Sequence, residues 1–226
     1  MGTETKDPLY VRYLVYLTKP FPDFDFSFIK PVRQKAVKFL NLKQGDRVLD
    51  AGCGSGGSFP YLREQVGPAG EVVGVDISPL TTTSTRKRIS KNKWENVHLI
   101  EADIRTVNLT GKFDGVLMFA APDVFSSDDA ISNIFSHLKE NARIAIFGAK
   151  ISNRRYGWIL NGMLRLAFSK LSFSTSPKLE IKPWTTLQKR LTKLEVEEYF
   201  FGWMFLAWGY IDNPTGKTQD NEQVRS

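Results

Sequence analysis

Four of the six residues from Gly52 to Gly57 are glycine, in a stretch "VLDAGCGSGG" that begins on the apolar run Val48–Leu49. A glycine-rich turn directly after an apolar strand constrains the fold more than any other feature of this chain. It removes side chains where a ligand or a neighbouring backbone must come close. The sequence around it alternates. "DRVLDAG", "GEVVGVDIS", "VHLIEADI", "FDGVLMFAA" and "ARIAIFGAK" read as strands, with helical patterns at Phe59–Val66, "TTTSTRKRIS" and "DDAISNIFSHL" between them. Such alternation predicts an α/β fold, a parallel sheet with helices on both faces, and near-continuous apolar strands agree with burial from both sides. Val32, Ala36, Val37, Phe39 and Leu40 are spaced for an amphipathic helix ahead of the first strand. Near the other end, "LEVEEYFFGWMFLAWGYI" reads as two strands meeting at Gly202, a hairpin that would set one antiparallel strand at the end of the sheet.

The glycines alone leave the ligand open, because Gly52, Gly54 and Gly57 can also be read as a dinucleotide fingerprint. Asp50 argues against that reading. Its carboxylate stands two residues before the first glycine, where a pyrophosphate would meet a like charge and a cationic ligand an opposite one. S-adenosylmethionine has no phosphate and carries a sulfonium and an ammonium. Asp76 ends the second strand, where an acidic side chain can accept from both hydroxyls of a ribose. Asp103 ends the third and is placed to accept from an adenine amino group. Ligands of open α/β sheets lie beyond the carboxyl ends of the strands, so three acidic residues at three successive ends form a coherent site. Cys53, inside the turn, reads as a small buried filler.

"VLDAGCGSG", "VVGVDIS", "LIEADI" and "FDGVLMF", in that order, resemble the successive motifs of class I S-adenosylmethionine-dependent methyltransferases over about residues 35–150. The resemblance implies a Rossmann-like three-layer sandwich whose seven-stranded, mostly parallel sheet closes in an antiparallel hairpin. It implies Asp50 and the turn of Gly52, Cys53, Gly54 and Gly56 at the methionine moiety, Asp76 at the ribose and Asp103 at the adenine. Ile77, Ile104 and Phe119, beside these strand ends, complete the expected cofactor-binding set. Within the class, "VRQKAVKFLNLKQGDRVLDAGCGSG" and "WENVHLIEAD" are most similar to the branch of quinone C-methyltransferases and bacterial phosphatidylethanolamine N-methyltransferases. The threonines of Thr81–Thr85 depart from that branch, which more often opens this helix with apolar residues.

The acceptor must be met by segments outside the motifs. Residues 1–30 carry Tyr10, Tyr13, Tyr16 and several phenylalanines between helix-breaking prolines, and are expected to form an aromatic lid. Its tyrosines are the candidate catalytic residues, since their hydroxyls can orient an acceptor or move a proton. Residues 31–211 are expected to form the methyltransferase domain, with a basic, apolar insertion at about 151–182. There Arg154, Arg155, Arg165, Lys170, Lys178 and Lys182 face only Glu180. Residues 212–226 have almost no apolar content and read as a disordered tail.

The formal charge of +7 calls for an anionic partner. "FAAPD" at the fourth strand end lacks the Asn-Pro-Pro-Tyr-like box of enzymes that methylate base amino groups, which disfavours nucleic acid. An interfacial helix on an anionic membrane surface is the sharper reading of Arg154–Leu171. Apolar runs fall well short of the roughly 18–20 residues that a spanning helix needs. The lone Cys53 allows no internal disulfide and is compatible with a reducing cytoplasm, so a cytoplasmic enzyme peripheral on the membrane is expected. With two histidines and one cysteine far apart, no metal site is expected. The expected reaction is methylation of a hydrophobic or lipid acceptor, phospholipid amine first. The alternatives are a quinone or isoprenoid ring carbon, a soluble small molecule, and a non-catalytic cofactor-binding interaction module.

Overall fold

The computed structural model describes residues 29–153, 161 and 180–211. The expected lid, tail and most of the basic insertion, with Tyr10, Tyr13 and Tyr16, lie outside the described residues. The first helix among the described residues, α1 (Lys30–Phe39), has Pro31 in its first turn, where a missing N–H costs nothing, and buries Val32, Ala36 and Val37. There follow β1 (Arg47–Ala51), α2 (Phe59–Val66), β2 (Glu71–Asp76), α3 (Pro79–Lys91), β3 (Val97–Glu101) and β4 (Phe113–Phe119). The short α4 (Pro122–Phe125), α5 (Asp128–Ser136), β5 (Leu138–Ala149), α6 (Thr185–Gln188), β6 (Lys193–Tyr199) and β7 (Met204–Tyr210) complete the order.

The seven strands form one sheet in the order β3-β2-β1-β4-β5-β7-β6. Strands β1 to β5 are mutually parallel, and β7 runs antiparallel to both β5 and β6. The sheet closes in an antiparallel hairpin as expected, with β7, its antiparallel strand, second from the edge. The hairpin's short connection makes β6 and β7 neighbours, and β7 takes the place beside β5. Strand β6 consequently points the same way as β1 to β5, and the turn after Tyr199 lies at the carboxyl end of the sheet.

Successive residues of β1 serve opposite faces, as the strand period of two requires. Leu49 and Ala51 join a core with Val73, Val116, Ile131, Ile134 and Phe205. Val48 joins a second core with Ala36, Val37, Phe59, Leu62 and Val72. Both faces are covered, which is why the strands read as apolar runs. The connections reverse direction between β1 and β4, and a ligand crevice opens at such a reversal beyond the strand ends.

Candidate functional site

The glycine turn is fixed from below and open above. Gly52 N–H and Cys53 N–H both donate to Val75 O, at 2.8 and 3.1 Å, tying the turn to β2. Gly52 has φ +77°, and a Cβ on it would stand 2.5 Å from the Ala121 Cβ, so no other residue fits. Gly54 has φ +52°, but a Cβ there would meet nothing within 4 Å. The bare face of Gly54 is a cradle rather than a packing contact.

Asp76 braces this turn. One carboxylate oxygen accepts from Gly54 N–H at 2.8 Å, and the other from Ser78 N–H at 3.0 Å and Thr81 Oγ1 at 2.9 Å. Thr85 Oγ1 donates to Gly54 O at 2.7 Å from the same helix. The threonines that looked out of place in a helix thus have a reason. Thr82 and Thr85 are fully buried, and Thr82 bonds to Glu101 at the end of β3. Their hydroxyls, which lower helix propensity elsewhere, hold α3 against the turn and the strand ends.

Asp50 is the anomaly of the site. It is 1% exposed and its Oδ2 has no hydrogen-bond partner. Burial pushes its pKa up to about 7; the Arg33 guanidinium and the Ser58 hydroxyl pull the other way, and the charge of Asp76 adds to the rise. Arg33, from α1 and only 5% exposed, donates to Ser58 Oγ at 2.9 Å and lies 4.2 Å from the centre of the Phe119 ring. Phe119 in turn stacks on Phe147 at 4.4 Å. A buried carboxylate oxygen without a donor costs about 1–3 kcal/mol unless something bound at the site meets it. The ammonium of S-adenosylmethionine is such a donor, and its positive charge suits a carboxylate that ionises near neutrality. The residues present fit that cofactor.

The structure brings Asp50, Gly52, Cys53, Gly54, Asp76 and Phe119 together where β1, β2 and β4 end. Gly56 packs its φ +73° backbone against Phe59 and Thr85, and so supports the turn from behind. Ile77 is exposed and available to a ligand, whereas Ile104 is buried in the core. Asp103 is already engaged. Its carboxylate accepts from the N–H and guanidinium of Arg105, chiefly the latter, which holds its pKa below the usual carboxylate range. An adenine amino group would have to share it with Arg105. Cys53 is buried, and burial first, then the nearby Asp76 and Asp50, push its thiol well up, so it stays a protonated filler. Sequence reasoning missed Arg33, because an arginine on an amphipathic helix reads as a solvated residue. It missed the bracing role of Asp76, whose partners are two backbone amides and the Thr81 hydroxyl.

Residues 42–156 match the family model described as a methyltransferase domain. The chain is 32% identical over 117 residues to a demethylmenaquinone methyltransferase of Lactobacillus johnsonii, covering 50% of this chain and 48% of that protein. It is 29% identical over 142 residues to a chloroplastic 2-phytyl-1,4-beta-naphthoquinone methyltransferase of Arabidopsis thaliana, covering 58% and 54%. The chain thus spans about half the length of the curated relatives it matches. Among solved structures, a SAM-dependent methyltransferase from Aquifex aeolicus superposes with a TM-score of 0.57 at 20% identity, over 91% of this chain and 99% of that one.

Proposed function

Because the chain belongs to the methyltransferase domain family, we propose that it transfers the methyl group of S-adenosylmethionine to a ring carbon of a quinol-type acceptor with an apolar tail. The observation that carries the cofactor half is the buried carboxylate of Asp50, whose Oδ2 lacks a partner, at the strand end before the open glycine turn. When bound, S-adenosylmethionine supplies an electrophilic methyl group, and what the protein must add is alignment and exclusion of water. Asp50 would take the positive end of the amino-acid moiety, Gly54 leaves room at the turn, and Asp76, which keeps the turn in register, would offer its carboxylate to the ribose. Ile77, exposed next to Asp76, would border the base. Phe119 and Phe147 line the dry side under Arg33.

The acceptor half rests on the relatives. The two named above are named for naphthoquinone-type substrates, demethylmenaquinone and 2-phytyl-1,4-beta-naphthoquinone. That support moves the ring-carbon alternative ahead of phospholipid amine methylation, which the sequence motifs alone ranked first. An acceptor of this kind partitions into bilayers, so a place on the cytoplasmic face of a membrane belongs to the same proposal. The lid tyrosines Tyr10, Tyr13 and Tyr16 remain its candidates for proton transfer.

The test is incubation of the full chain with methyl-labelled S-adenosylmethionine and either a reduced, tail-bearing naphthoquinone or phosphatidylethanolamine vesicles. Mass spectrometry should find the label on the quinone ring. Label on the lipid amine, or on neither substrate, would overturn the assignment.

A further inference from the structure

Among the described residues, the large apolar side chains left exposed are Ile77, Ile181, Val196, Phe200 and Phe201. Ile77 belongs to the cofactor site and Val196 to the edge strand β6. The other three gather at one corner. Phe200, Phe201 and Gly202 form the turn between β6 and β7, and Phe201 is 75% exposed. The backbone of this turn is unusual. Phe200 and Phe201 have φ of +50° and +57°, followed by Gly202 at +85°. Two successive bulky residues in the left-handed region are strained, and such strain persists only where the surroundings fix it.

They do so here. Ser152 Oγ donates to Phe201 O at 2.9 Å, and Lys150 N–H to Trp203 O at 2.9 Å. Trp203 Nε1 donates to Asn161 Oδ1 at 3.1 Å, and Asn161 is itself bonded to both backbone groups of Ser152. Beneath the turn, Lys150 is 1% exposed and pairs with Glu198 at 2.5 Å, tying the end of β5 across β7 to the end of β6. Ile151 N–H donates to Glu180 O at 3.0 Å, which sets Ile181 and Lys182 beside the same corner. A rigid mount that holds a phenylalanine ring out into solvent has no folding purpose, because burial of that ring would stabilise the fold.

We propose that the Phe200–Phe201 turn, with Ile181 and Lys182, is a wedge that inserts into an anionic lipid bilayer. Charge favours a bilayer over a protein partner. A stretch of sequence with a basic excess leaves this corner at Asn153 and returns to it at Glu180. Between Ile151 and Lys182 it carries six Arg and Lys against Glu180 alone. Exposed aromatic rings with Lys182 near them, on a chain with this basic excess, have the composition of an interfacial anchor. The turn also shares the carboxyl end of the sheet with Asp50 and Asp76, so a docked molecule would face its site towards the membrane. This last point rests on the acceptor reading given above; the docking itself does not.

The experiment therefore contains no acceptor and no methyl donor. The full chain is mixed at low salt with phosphatidylcholine vesicles containing phosphatidylglycerol, some bearing brominated acyl chains. Wild type should sediment with these vesicles, and less as salt is raised, since exposed charges are screened. Bromine should quench part of the tryptophan fluorescence, a part lost in Trp203→Phe, because Trp203 lies 6.1 Å from the Phe201 ring. Phe201→Ser should weaken vesicle binding at least tenfold while its calorimetric affinity for S-adenosylhomocysteine stays that of wild type, and Phe201→Trp should restore binding. No vesicle binding by wild type overturns the proposal. So does vesicle binding unchanged in Phe201→Ser.

Discussion

Asp50 is held where its charged form is disfavoured, and the consequences can be measured. Its folded pKa of about 7 stands above the ordinary carboxylate value, with burial as the main cause. The folded state therefore binds more protons than the unfolded one between about pH 4 and 7. The contribution of Asp50 to stability is present at low pH and lost as pH rises through that window. Thermal unfolding without ligand should show this fall in the wild type, and Asp50→Asn, which does not titrate, should flatten it. Binding a cation reverses the balance, because it favours the ionised carboxylate. Affinity for S-adenosylmethionine should rise with pH up to about 7 and then level, with a proton released on binding near pH 6.5. Calorimetry in two buffers of different ionisation enthalpy reads that proton directly; its absence would mean that Asp50 does not meet the charge.

The elements divide the glycines into two kinds. Gly74 lies inside β2, where an added Cβ would stand 2.5 Å from the Phe59 ring and 3.0 Å from Cys53 Sγ. It sets how closely α2 packs on the sheet. Gly54 faces open space, and alanine there meets only the backbone cost of its left-handed φ, about 1 kcal/mol. Gly74→Ala should lower stability to urea by about 2 kcal/mol, the usual cost of overpacking, with little loss of cofactor affinity in the folded fraction. Gly54→Ala should do the reverse, cutting affinity sharply for a smaller loss of stability. Parallel strands and the helices between them were legible because burial on both faces leaves an apolar run. The start of β5 was not. Strand β5 begins at Leu138, but Lys139–Asn141 are exposed and polar, and the register to β4 shifts between Phe113 and Gly115. Asn141, at φ +60°, bends the strand there, and such a bend leaves no periodic trace.

At the scale of the molecule, the turn sequence and the acidic strand ends pointed to one candidate site, since a parallel sheet brings them to one edge by topology alone. Sequence could not show that Asp103 is taken by Arg105, that Arg33 lies over the Phe119 ring, or that Phe200 and Phe201 stand in the left-handed region. The Arg33 contact joins segments far apart in the chain, while the Asp103–Arg105 pair and the left-handed turn are local but leave no periodic pattern. The sheet order, the family match and the orphaned oxygen of Asp50 converge on one ligand with a cationic amino-acid end and no phosphate. Calorimetric titration of the full chain with S-adenosylmethionine, S-adenosylhomocysteine and NAD tests that convergence most directly. Both sulfur nucleosides should bind at a single site, NAD should not compete, and Asp50→Asn should weaken S-adenosylmethionine binding. Tighter binding of NAD than of S-adenosylmethionine, or full affinity in Asp50→Asn, would contradict it.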